Sequence, residues 1–239
     1  NLKLKIDPVT RRIVSYQDDY SFVSKKDYPA SRKITERINK EVNIIEDIIE
    51  QKLAYVSRSL KSDFYDSSPL GSFICDVVKS CYGGDAVLIN SGSMRDDLKK
   101  GYVTLGNLHE IIPFDNMAVK LQLQGRKIKD LIERSANEYR PFELSGIEFV
   151  LRKIPDGQKF SYEAQNIEIN GKSIKMEKNY WVIINSFTFS LYREMLMEGT
   201  PQRNVDFLDN IRKVLEKYLK RVKFVEPGEY PPRFKEVSG

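Results

Sequence analysis

The chain has 239 residues, 41% of them hydrophobic, with 39 lysines and arginines against 34 aspartates and glutamates for a net charge of +5. That is the composition of a globular protein with a substantial core, long enough for one large domain or two small ones. It excludes a membrane-crossing helix, since no apolar run reaches about 18 residues, and a histidine-rich metal centre, since His109 is the single histidine.

At the start, Leu2, Leu4 and Ile6 alternate, Asp7-Pro8 turns the chain and Ile13-Val14 resumes, which predicts strand, turn and strand over residues 1–24. Without an initiating methionine or a signal-peptide pattern, the chain is expected to begin inside a longer protein. From Pro29, with Ser31 as N-cap, Ile34, Ile38, Val42, Ile45, Ile48, Ile49 and Leu53 recur at spacings of three and four and predict an amphipathic linker helix. A second helix is predicted from Ser68 or Pro69 to Ser80, with Leu70, Phe73, Ile74, Val77 and Val78 as its stripe and Gly83-Gly84 as its end. A strand over Asp85–Ile89 follows and breaks into a turn, Asn90–Arg95. Leu105–Ile112 reads as a short helix leading to a turn at Pro113-Phe114. Ala118–Leu123 reads as a strand with Val119, Leu121 and Leu123 inward, and Gly125 turns into a helix over Lys127–Asn137. Residues 147–182 are β-rich, with turns at Pro155-Asp156-Gly157 and Asn170-Gly171. Val205–Val222 is predicted as a closing helix. The sum is an α+β domain with at least two sheets.

The two turns stand out chemically. Each follows an apolar run and carries a side chain suited to gripping a ligand: Asn90 and Arg95 around Gly92, then Phe114 and Asn116 after Pro113. Gly92 lets backbone approach a bound group closely. A guanidinium fork, an amide and an aromatic face together suit an anionic ligand with a flat ring, as in a nucleotide. The basic residues, by contrast, are dispersed. The densest cluster, Lys217, Lys220, Arg221 and Lys223, sits beside Glu216 on a helix and reads as a solvated face, so neither nucleic acid nor a membrane is expected as a partner. Cys75 and Cys81 fall on different faces of one predicted helix. The absence of a disulfide pattern is compatible with a cytoplasmic setting but fixes no localisation.

Several of these segments, taken in order, resemble the C-terminal domain of the 5'-nucleotidase family. Leu70-Gly71-Ser72-Phe73-Ile74-Cys75-Asp76 is similar to its opening helix, and Asn90-Ser91-Gly92-Ser93-Met94-Arg95 to its Asn-Gly-Gly-Gly-Ile-Arg turn. Leu105-Gly106-Asn107 through Pro113-Phe114-Asp115-Asn116 resembles the run ending in Pro-Phe-Gly-Asn. Leu123-Gln124-Gly125, Ser145-Gly146 and Asn170-Gly171-Lys172 through Asn185-Ser186-Phe187 continue the likeness, which covers residues 66–187.

The resemblance implies a mixed-sheet α/β/β/α layered domain over residues 58–239, preceded by a linker helix over 29–57 and by strands left from an upstream metallophosphatase domain over 1–28. It implies that two divalent metal ions and the catalytic residues belong to that absent domain, acting in cis, with no cofactor, metal ligand or catalytic residue in this chain. The chain is then expected to hold a nucleotide or another phosphate ester and to be inactive alone. A sugar phosphate or nucleotide sugar is the rival substrate, and a non-catalytic binding or scaffold module the rival role. Asn90, Gly92, Arg95, Phe114 and Asn116 would contact substrate: Arg95 its anionic end, Asn90 the base edge or ribose, and Phe114 the face of the base. The structural alternatives are an Arg95 ion pair with Asp96 or Asp97, a turn-closing Asn90 and a core Phe114. Two family features are missing. No arginine stands in Ser62-Asp63-Phe64-Tyr65-Asp66, where Arg58 or Lys61 would have to substitute. The later Gly-Gly-Asp-Gly-aromatic loop is replaced by Thr188–Glu194, where Tyr192 or Phe189 is expected to supply the second stacking ring and Glu194 the ribose contact.

Overall fold

A computed structural model describes every residue except Val23, Lys25, Asp27, Gln158, Thr200, Gln202, Arg203 and Gly239, and the backbone alone of Asp156 and Lys159. The chain divides into two compact units, residues 1–47 and 48–239.

In the first unit, β1 (Leu2–Ile6) and β2 (Ile13–Asp18) form the antiparallel hairpin that the alternation predicts. Asp7 closes its turn by accepting the N–H groups of Val9 at 2.9 Å and Thr10 at 2.7 Å. Then α1 (Arg32–Ile49) begins where Thr35 N–H donates back to the Ser31 carbonyl at 2.9 Å, and its apolar stripe of Ile34, Ile38, Val42 and Ile45 is exposed. The helix is shorter than its periodicity suggested. Leu53, expected as the last residue of the stripe, is 1% exposed on β3 (Lys52–Val56). Helical spacing persists through Leu53, but pairing with strands on both sides draws this segment into a sheet, a tertiary gain that local periodicity does not register.

The second unit continues with α2 (Pro69–Tyr82), β4 (Ala86–Asn90), β5 (Gly101–Thr104), α3 (Leu105–Ile111), β6 (Met117–Gln124) and α4 (Gly125–Arg134). After α4 a single π-turn spans Ser135–Tyr139. Next come β7 (Phe142–Ser145), β8 (Ile147–Asp156), β9 (Lys159–Ile169), β10 (Lys172–Ser173) and β11 (Asn179–Asn185). The chain closes with α5 (Ser186–Leu191), α6 (Arg193–Met197), β12 (Val205–Asn210), α7 (Ile211–Val222), β13 (Phe224–Val225) and β14 (Phe234–Ser238). The first third of the helix predicted over Val205–Val222 is therefore strand. Asn210 marks the true start of α7, accepting Arg212 N–H at 2.9 Å with its side chain, while β12 is recruited to the free edge of β6.

At the centre lies a five-stranded mixed sheet in the order β12-β6-β11-β4-β7, with β11 and β4 parallel and the other pairs antiparallel. Both faces are buried at its centre, so β4 and β11 read as continuous apolar runs, while β6 keeps the alternation of a half-buried strand. On β4, Val87 and Ile89 join a core with α2, α3 and α7, while Ala86 and Leu88 join a second core with α4 and the four-stranded sheet β10-β9-β8-β14. A third sheet, β13-β3-β5, extends the first core. This is the mixed-sheet, layered α+β domain that the sequence predicts.

Candidate functional site

One edge of the central sheet collects the segments singled out above. β4 and β11 are parallel and end at Asn90 and Asn185, while β6 and β7 run antiparallel to them and start at Met117 and Phe142. The four loops at these ends, Ser91–Arg95, Ser186 onward, Phe114–Asn116 and Arg140-Pro141, therefore meet at one place. The carboxyl ends of adjacent parallel strands are where open α/β sheets characteristically hold ligands.

Side chains lock the edge. Asn185 Nδ2 donates to Asn90 Oδ1 at 2.5 Å and to Ser93 Oγ at 2.9 Å, and Ser93 Oγ donates to Asn90 Oδ1 at 2.6 Å. Next along the chain, Ser186 Oγ accepts Met117 N–H at 3.1 Å and lies 3.5 Å from Asn116 Oδ1. The end of β11 thus braces one turn with Asn185 and the other with Ser186. Arg212 of α7 pins the second turn from behind, donating to the carbonyls of Ile112 at 2.9 Å and Phe114 at 3.4 Å and pairing with Asp115, whose carboxyl it holds below the ordinary range.

Five of the six predicted residues come together here. Asn90 is 5% exposed and its Oδ1 is engaged within the protein, so its carbonyl serves the turn. Gly92 sits in a tight place: a Cβ there would lie 3.3 Å from Asn90 Nδ2 and in ordinary contact, 3.7 Å, with Phe64 Cζ. Arg95 is exposed, anchored by its N–H to the Ile111 carbonyl at 2.9 Å, with its guanidinium 5.3 Å from the Phe64 ring centroid. The alternative ion-pair partners are occupied elsewhere: Asp96 by Lys99 at 3.2 Å and Asp97 by the Ser62 N–H at 2.8 Å. Phe114 keeps 45% of its surface exposed, which sets it apart from the core. Tyr192 is elsewhere. It caps the end of α5 and is 7% exposed inside the second core, leaving no ring face for a base, and Phe189 packs edge-on against Phe207 with centroids 5.4 Å apart. Arg58 is likewise committed, to the carbonyls of Pro227 and Gly228.

Several further residues at this edge were not singled out as candidates by the sequence. Phe187 and Tyr139, 38% and 49% exposed, stand as a tilted ring pair with centroids 5.6 Å apart. Arg140 lies with its guanidinium 3.5 Å from the Phe64 centroid and 4.8 Å from that of Tyr65. Behind them, Glu143 of β7 is fully buried and accepts Ser68 N–H at 3.1 Å and Ser68 Oγ–H at 2.5 Å. Burial pushes its carboxyl up to about 7 against the opposing pull of those two bonds. Among the described residues, no three His, Cys, Asp or Glu side chains are grouped to hold a metal ion, and His109 is exposed on α3.

Comparison with known proteins gives a consistent picture. The sequence model of the family described as "5'-nucleotidase, C-terminal domain" matches residues 47–195, more than half of the chain. The endonuclease YhcR of Bacillus subtilis is 24% identical over 189 residues, covering 77% of this chain and 15% of that protein. The B. subtilis metallophosphoesterase YunD is 23% identical over 168 residues, covering 63% of this chain and 36% of that protein. The crystal structure of a 5'-nucleotidase precursor from Thermus thermophilus superposes with a TM-score of 0.75 at 19% identity, over 99% of this chain and 49% of that one. The chain therefore spans about half or less of the length of each of these relatives.

Proposed function

The chain belongs to the family of 5'-nucleotidase C-terminal domains, and on that premise we propose that its central-sheet edge recognises a nucleotide. The observation carrying this reading is the bracing of two turns by Asn185 and Ser186, which leaves Arg95 and the Phe114 ring exposed on loops at the same edge. Arg95 pairs with the anionic end of the ligand and Phe114 offers a face to the base. Asn116 supplies an amide beside them. Hydrolysis of the phosphate ester needs a cation-supported water. The chain's own donor set, with one exposed histidine, does not fit such a centre, so two divalent ions are assigned to a metallophosphatase domain acting in cis. This chain holds the substrate and is inactive alone.

A second reading, a non-nucleotide phosphate ester such as a sugar phosphate, is favoured by the burial of Tyr192, which withdraws one of the two rings expected to stack on a base. Titration calorimetry with adenosine, AMP, UMP and a sugar phosphate decides between them. Saturable nucleoside or nucleotide binding, weakened about tenfold or more by Phe114→Ala, fits a stacking contribution of about 1–3 kcal/mol. Binding of the sugar phosphate alone, indifferent to Phe114→Ala, replaces the nucleotide with the second class.

A further inference from the structure

Arg140 packs on Phe64 and Tyr65 without satisfying all of its donors. Its Nη1 is buried and has no hydrogen-bond partner, although buried donors are almost always satisfied and an orphan on a charged group is costly. It forms no ion pair among the described residues, and neither does Arg95. Both guanidinium groups instead lie over the single ring of Phe64, at 3.5 Å and 5.3 Å from its centroid. They are therefore no farther apart than the sum of those two distances. The residue that carries them is itself held: the Phe64 carbonyl accepts Ser91 Oγ–H at 2.9 Å. A stacked guanidinium has its in-plane N–H donors left over, aimed along its own plane.

We propose that Arg140 is a second anion-binding residue of this edge, its guanidinium on the Phe64 ring closing with Arg95 on one phosphate group of the ligand. The proposal rests on the reading of the edge as a phosphate-ester site. The bound phosphate would meet the guanidinium's remaining in-plane N–H donors and offset the two positive charges that share the ring. Such a site favours a phosphorylated ligand over its dephosphorylated form.

The test measures binding of inorganic phosphate, adenosine and AMP to the 239-residue chain, to Arg140→Gln and to Arg140→Lys, with thermal melting to confirm that each variant is folded. The expected result is that AMP binds at least tenfold tighter than adenosine, that Arg140→Gln abolishes this difference while leaving adenosine unchanged, and that Arg140→Lys restores part of it. Equal loss of adenosine and AMP in both variants would show that Arg140 merely supports the Phe64 loop, overturning the proposal. AMP affinity unchanged in Arg140→Gln overturns it and leaves the nucleotide reading standing. Phosphate binding weakened by Arg140→Gln with no AMP or adenosine binding upholds Arg140 and removes the nucleotide. No binding of any of the three overturns both.

Discussion

At the scale of single residues, Glu143 shows how the environment of one atom sets a measurable property of the whole protein. Its folded pKa of about 7 lies above the ordinary value of 4.5, because burial disfavours the charged carboxylate more than the two Ser68 hydrogen bonds favour it. The folded chain keeps this proton longer than the unfolded chain does. Stability is therefore fully present below pH 4.5 and falls as pH rises to about 7, by about 3 kcal/mol from this group alone. Glu143→Gln removes that titration while keeping the side chain's shape. Urea midpoints at pH 4.5 and pH 8 should fall less in the variant than in the parent chain, and parallel pH dependences would show that the carboxyl is not shifted. The same scale explains why the sequence singles out Arg95 and Phe114 as candidates and passes over Arg140. The first two sit in turns whose composition signals a break in a strand. Arg140 gains meaning only from Phe64, which lies far away in sequence.

At the scale of elements, the helix and strand signals hold wherever a cap or a turn residue marks the boundary. Ser68 caps α2 by accepting Gly71 N–H at 2.9 Å, Thr104 and Asn107 cap α3 reciprocally, and Asn170-Gly171, at φ 51° and 70°, forms the hairpin turn between β9 and β10. They fail at β3 and β12, two strands whose partners are distant, since Leu53 continues a helical stripe and Val205 precedes one. One boundary carries a cost. The residue ending α7, Lys223, adopts a left-handed φ of 60° with its N–H donating to the Leu219 carbonyl at 2.9 Å. A side chain at such a position is strained, and glycine is the usual occupant. Lys223→Gly is expected to stabilise the chain by about 0.5–1 kcal/mol, read as a higher denaturant midpoint with unchanged slope. A lower midpoint would show that the lysine side chain contributes more than the strain costs.

For the second unit as a whole, the C-terminal segment acts as a strap. β14 pairs in parallel with β8, and Arg233 just before it forms a two-pronged pair with Asp76 of α2 at 2.7 and 2.8 Å while also donating to the Leu144 carbonyl at 2.5 Å. Asp76 in turn accepts Ser145 Oγ–H at 2.6 Å. One guanidinium thus joins α2, β7 and the chain's end. Arg233→Ala should cost about 2–3 kcal/mol, because it strands a partly buried carboxylate and a carbonyl together. Arg233→Lys should recover only part of that, since an ammonium cannot reproduce the fork. A loss below about 0.5 kcal/mol in thermal or urea unfolding would show that the pair behaves like an exposed surface ion pair. By itself, the sequence determined the α+β class, most of the elements and the two polar turns at the sheet edge, because period, caps and turn chemistry act over a few residues. Only the tertiary structure decided that Leu53 and Val205 lie on strands, that Tyr192 fills the core, and that Arg140 and Arg95 share one ring, because sheet pairing, burial and charge proximity depend on segments far apart in the chain.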